Sequence, residues 1–168
     1  MQFPTHLIVG IFLQELISGL IPTNIVLRIL LIIICCFISH FIVDAFAILT
    51  YHPPERENTK LWEYWHIFIY ISGIIIFILF FNPYWLGMLS AYIPDLWDWF
   101  FLRPLSKRRN QPELYDKYGI HFIVDTVRRP LIRLGLPNLT YKNYGILPEL
   151  ILVSLVIIVK VSTIIMSL

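Results

Sequence analysis

Charged side chains are scarce in this chain: Asp, Glu, Lys and Arg make up 14% of its 168 residues, while 58% are hydrophobic. An average soluble domain carries about 25% charge, so this balance argues against a water-soluble domain and for one embedded in lipid. Cysteine is scarcer still. Cys35 and Cys36 are adjacent within an apolar run, and neighbouring side chains on a helix point in different directions. A disulfide framework and a zinc knuckle are therefore excluded, which leaves packing as their role. No Lys or Arg precedes Arg28, and Gln14-Glu15 interrupts the first apolar stretch. Neither feature fits a cleaved secretory signal, so Met1 is expected to begin the mature chain.

What is abundant is apolar sequence in long runs. Five segments can be read, at residues 7–21, 25–49, 64–81, 84–102 and 146–168. Pro22-Thr23-Asn24 and Asn82-Pro83 read as tight turns, with Asn24 capping the helix that follows it. Pro53-Pro54 stops the second segment. Lengths of this order suit the roughly 30 Å hydrocarbon core of a bilayer, the first segment being marginal. The expected fold is all-α, a multi-pass membrane helical bundle of four to five transmembrane helices with a basic cytoplasmic helical region. Its parts are a four-helix membrane region (1–102), the basic region (103–145) and a C-terminal transmembrane helix (146–168).

Region 103–145 carries nine Lys or Arg residues against three acids. The bias of basic loops toward the cytoplasm places it inside a plasma membrane, together with the N-terminus. The turns at Pro22 and Asn82 then lie outside, and both lack charge.

The pentapeptide His-Phe-Ile-Val-Asp occurs twice, at 40–44 and 121–125, and Asp95 and Asp98 lie between the copies, just after Pro94. His and Asp four apart share a helix face, where both can reach one cation. On the topology above, His6, His40, His52, His66 and His121 all fall at the cytoplasmic face, with His6 preceding the first helix. Imidazole and carboxylate together suit zinc, manganese or iron. The candidate ligands are His6, His40, Asp44, Asp95, Asp98, His66 and His121, around one divalent ion or two. Two cations about 4 Å apart activate water and stabilise a leaving oxygen. Glu15 or Glu63 would act as general base.

Each residue also has a structural reading. His40–Asp44 can lock two helices, Asp95 and Asp98 can cap after Pro94, and Asp125 can pair with Arg128 or Arg129. His52 beside Pro53-Pro54 reads as a loop residue, and His66 near Trp62 and Trp65 as part of an aromatic belt. Lys107-Arg108-Arg109 suits anionic-lipid contact. No nucleic-acid motif is present.

Pro4-Thr5-His6-Leu7, Ser39-His40-Phe41-Ile42-Val43-Asp44 and Pro94-Asp95-Leu96-Trp97-Asp98 resemble the motifs of the YdjM-like membrane-bound metal-dependent hydrolases. That family has an early Thr-His, a Ser-His-x-x-x-Asp element and a Pro-Asp-x-Asp element. Here two residues rather than one separate the carboxylates, Trp99 stands where a His follows, and the Ser-His element comes first. The resemblance implies a helical membrane protein, metal-dependent hydrolysis, and His6, His40, Asp44, Asp95 and Asp98 as ligands. The expected function is hydrolysis of a lipid-linked or interfacial ester or phosphoester at the cytoplasmic face. Membrane lipids or an anionic headgroup would be the partners. The alternative is a non-catalytic multi-pass protein with structural His/Asp pairs, its basic region docking lipid or a partner.

Overall fold

The computed structural model describes residues 3–53 and 57–166. Among them all regular structure is helical: α1 (Phe3–Leu20), α2 (Ile25–Ala45), α3 (Lys60–Asp95), α4 (Arg103–Arg109), α5 (Glu113–Tyr118), α6 (Phe122–Arg133) and α7 (Ile146–Met166). A short 3₁₀ turn, Phe46–Leu49, extends α2, and a wide π-helical stretch, Leu96–Leu102, joins α3 to α4. Three helices are long and apolar enough to cross a membrane: Phe3–Leu20, Ile25–Leu49 and Lys60–Arg109. Asn143–Leu155 is a shorter apolar helix.

Local signals set the helix starts. Asn24 has extended backbone and its Oδ1 accepts the Leu27 N–H at 3.0 Å. Thr59 does the same for Trp62 at 3.2 Å. Each cap satisfies a donor the first turn cannot pair internally. The helix α1 starts earlier than its apolar run suggests. Proline is tolerated in a first turn, where its missing N–H goes unneeded, so Pro4-Thr5-His6 joins the helix. His6 thus lies inside α1, not before it, and is 1% exposed.

The 36-residue α3 is not one straight rod. Tyr84 alone within it departs from helical geometry (φ −124°, ψ 16°), directly after Pro83. The Phe3 ring covers the α-carbon of Gly73 and lies 4.8 Å from the Tyr92 ring. In a straight helix positions 73 and 92 would stand about 28 Å apart, so the chain reverses at Asn82-Pro83-Tyr84 into two antiparallel limbs. Gln14 holds the corner. Its Nε2 donates to Pro83 O (2.8 Å) and its Oε1 accepts from Gly87 N (2.7 Å), bridging the pair that a regular helix would bond directly. Gln14→Leu keeps the volume and removes both bonds. It is expected to destabilise the fold by about 1–3 kcal/mol, read as a lower thermal midpoint in detergent; an unchanged midpoint would show that the corner does not depend on Gln14.

Packing centres on α1, which touches α2, α7 and both limbs of α3. Leu7, Ile8 and Ile11 pack with Ile76, Met88 and Val153. Ile17 packs with Ile32, Cys36 and Ala91. The cysteines are not disulfide-bonded, and Cys36 is fully buried, as a packing role requires. The outward faces of α2 and α3 carry Val26, Leu30, Ile34, Ile71 and Ile78, all at least half exposed, while Thr5, His6, His40, Asp98 and Glu149 are inside. Apolar outside and ionisable inside inverts the arrangement of a water-soluble protein. The chain after α2 docks on the 138–145 turn, with Tyr51 N donating to Gly145 O (2.9 Å) and His52 N to Thr140 O (3.0 Å).

Candidate metal centre

Three distant stretches meet at one end of the bundle. The last turn of α2 brings His40 and Asp44, the end of α3 brings Asp95, and the residue before α6 brings His121. One ligand atom from each lies within 4.8 Å of all the others. The spacing is regular. His40 Nε2 is 3.3 Å from both His121 Nε2 and Asp44 Oδ2. His121 Nε2 is 3.3 Å from Asp44 Oδ2 and from Asp95 Oδ1, and His40 Nε2 is 3.8 Å from Asp95 Oδ1. Four donors placed tetrahedrally at about 2.0 Å from a cation stand about 3.3 Å from one another. Four of the six separations match that value, so the donor set could hold a metal ion in both chemistry and size.

Both imidazoles are oriented from behind. His40 Nδ1 lies 2.8 Å from Ala91 O, an acceptor, so it carries the proton and Nε2 is left with its lone pair. His121 Nδ1 lies 2.6 Å from Asp98 Oδ2. This backing by a carbonyl or a carboxylate is what sets a ligating histidine's tautomer and ring plane.

Asp98 consequently differs from the expectation that it ligates. It is fully buried, and its oxygens accept from Ile120 N (3.0 and 3.2 Å), His121 N (3.0 Å) and His121 Nδ1. The cause is the wide winding of Leu96–Leu102 after Pro94. It turns Asp98 away from Asp95, toward the start of α6. Such wide turns recur at functional sites.

His6 sits behind the centre. Its ring stacks on that of His40 with centroids 4.1 Å apart. Its Nε2 is 3.0 Å from Asp44 Oδ1 but off the hydrogen-bond direction, and its Nδ1 is buried without a hydrogen-bond partner among the described residues. His66 stays on the wall. Its Nδ1 is taken up by Trp62 O (2.7 Å) and its ring stacks on Trp62. The two acids expected as general base lie elsewhere. Glu15 is exposed at the Pro83 corner, with Tyr84 OH 3.4 Å from its Oε1, and about 13 Å along α1 from His6. Glu63 is exposed in the first turn of α3.

The second pentapeptide does not repeat the first. His121 precedes α6 rather than lying within it, so the two side chains do not share a helical face. Asp125 is 66% exposed and pairs with Arg128 at 3.5 Å. Two further residues were not among the expected site residues. Glu149 in the first turn of α7 is 1% exposed and accepts from Thr5 Oγ1 at 2.7 Å; a lone acid in an apolar run was the available signal. Arg128 donates from Nη2 to Asp44 O at 3.1 Å, tying α6 to the end of α2.

Asp44, Asp95 and His121 open onto a cavity of about 840 Å³ that His52 and His66 also line. Burial lowers the pKa of His52 to about 4, so this imidazole is neutral. Burial works in the same direction at His121, but hydrogen bonds to Asp44, Asp95 and Asp98 outweigh it and raise that pKa to about 10. No family model, curated protein or solved structure matches the chain, so the geometry itself carries the functional argument.

Proposed function

We propose that this chain is an integral membrane, metal-dependent hydrolase of the YdjM-like kind. It acts on a lipid-linked or interfacial ester or phosphoester at the cytoplasmic face. The observation that carries the reading is the convergence of His40, Asp44, Asp95 and His121, four donors within 4.8 Å of one another, with both histidines oriented from behind. Counting the two limbs of α3 separately, α1, α2 and those limbs make four spans, and α7 a fifth. The basic stretch after Leu102 then lies on the same side as the centre, the cytoplasmic side by the bias of Lys and Arg.

A bound divalent ion supplies Lewis acidity to an ester or phosphoryl oxygen and acidifies a water. Mixed His/Asp ligation and the 3.3 Å spacings favour zinc, with manganese and iron the other candidates. The chain's own groups do the rest. Asp98 and Ala91 O hold the imidazoles in register. His66, with Nδ1 engaged by Trp62 O, keeps Nε2 for moving a proton at the cavity wall. Asp44 presents Oδ1 to His6 and Oδ2 to His40 and His121, so Asp44 and His6 would be the residues available to hold a second ion.

Metal analysis of the detergent-purified protein tests this. Wild type is expected to carry stoichiometric zinc, manganese or iron, and Asp95→Ala and His121→Ala to lose it. Asp125→Ala, which alters the exposed acid of the second pentapeptide, is expected to retain it. Wild type without metal after growth in medium supplemented with all three would overturn the proposal.

A further inference from the structure

The cavity in front of the centre holds more than metal ligands. Of the nine basic residues between 103 and 145, two line it, Arg103 and Arg128. They are held differently, and each keeps donors for a ligand. Arg128 is anchored through Nη2 to the backbone oxygen of Asp44, itself a member of the centre. Its Nε is buried without a hydrogen-bond partner among the described residues. Among the described residues its ion pair is with exposed Asp125, across 3.5 Å. A buried guanidinium N–H left unpaired is costly and calls for an acceptor.

Arg103 lies over the Trp99 ring, its guanidinium carbon 3.5 Å from the centroid, with the Tyr115 ring 4.8 Å away. Stacking fixes the plane of the fork and leaves its edge to donate, since its bond to Tyr115 OH is long at 3.4 Å. Three carboxylates also line the cavity. Asp44 and Asp95 are committed to the centre, and Asp125 lies at the exposed end of Arg128. The net demand of the two arginines is thus for an outside anion. Guanidinium forks match the oxygens of a phosphoryl group in geometry as well as charge. Phe100 and Phe122 are also part of the lining, 67% and 69% exposed. They give the cavity an apolar rim beside its charged wall.

We infer that Arg103 and Arg128 form a phosphoryl-binding site facing the centre, so that the substrate is a phosphoester whose headgroup is gripped by these two forks. This rests on the hydrolase reading above and narrows its substrate class. A cavity of about 840 Å³ admits a headgroup of this kind together with part of an apolar tail.

The test is calorimetric titration of the detergent-purified protein with three probes: inorganic phosphate, dihexanoyl phosphatidic acid and dihexanoylglycerol, which lacks the phosphate. Metal content is measured on the same samples. Arg103→Gln and Arg128→Gln are each expected to weaken both phosphate-bearing probes at least tenfold with metal content unchanged. Arg129→Gln, outside the cavity, is expected to bind as wild type. Phosphatidic acid binding at least tenfold tighter than phosphate would support the site and assign it to a lipid headgroup. Equal affinities would support the site and assign it to a free phosphate ester. Dihexanoylglycerol binding as tightly as phosphatidic acid would overturn it. So would wild-type phosphate affinity in both arginine variants with metal retained. Arg128→Gln also removes the tie to α2; if it does not fold, Arg103→Gln decides alone. A wild type lacking metal whose phosphate binding still falls in the arginine variants would end the hydrolase reading and leave the anion site standing.

Discussion

Asp98→Asn is expected to lower the affinity of the proposed centre for a divalent ion by about 10- to 100-fold, the usual effect of losing a carboxylate behind a ligating histidine, although Asp98 is not one of the four candidate donors. The oxygen 2.6 Å from His121 Nδ1 is what keeps the proton on that nitrogen. The same oxygen accepts from His121 N and Ile120 N, both at 3.0 Å, so an asparagine whose Oδ1 takes its place keeps the start of α6. It offers His121 Nδ1 a neutral acceptor in place of a carboxylate, which leaves the imidazole less basic and a weaker donor through Nε2. Competition with a chromophoric chelator measures the affinity, and the thermal midpoint measured alongside separates retuning from unfolding. Wild-type affinity with a wild-type midpoint would mean that Asp98 only closes the turn between Leu102 and α6.

Gly87→Val is expected to be the most damaging single apolar substitution in the bundle. A Cβ on Gly87 would stand 2.3 Å from Gly10 O and 2.9 Å from Gln14 Cβ. The contact is reciprocal, since one on Gly10 would stand 2.4 Å from Gly87 O. Both obstacles near Gly10 are backbone, so the helices themselves have to separate. Small residues permit such approach between apolar helices that have no hydrophobic drive to associate in lipid. Overpacking of this kind costs about 1–3 kcal/mol or more, and here it also pulls Gly87 N away from Gln14. His6 lies about one turn from Gly10 and Asp95 about two turns from Gly87, so metal affinity should fall along with the thermal midpoint. Gly19→Ala is the control, because nothing lies within 4 Å of its added Cβ. Equal midpoints for Gly87→Val and Gly19→Ala would show that α1 and α3 do not depend on this approach.

Much of this architecture is carried by local sequence. The long apolar runs make helices because nothing in them competes with the backbone for its hydrogen bonds. Asn24 and Pro53 mark an entry and an exit by chemistry that acts within a few residues. The reversal after Asn82 follows from proline's missing N–H, and its two limbs occupy nearly the residues expected. His40 and Asp44 are four apart on one helix, so their shared face, with 3.3 Å between Nε2 and Oδ2, follows from helical geometry alone. The restriction of histidine to one end of the bundle was visible as well, and His52, His66 and His121 do line one cavity.

The choice of donors was not local. Asp95 and Asp98 look equivalent in sequence, and the wide turn between them sends one to the centre and the other behind His121. The two His-Phe-Ile-Val-Asp copies are identical as strings. One lies wholly within a helix, whereas the other straddles the start of α6, which splits its His from its Asp. Glu15 appears mid-span and acidic, a natural candidate for chemistry, yet the packing of α1 puts it at the corner held by Gln14. Sequence by itself determined which segments are helical and which residue types gather at one end, because periodicity, capping and proline act over a turn or two. The tertiary structure decided which donors stand close enough to hold one cation, because that depends on a few tenths of an ångström between stretches as much as 81 residues apart.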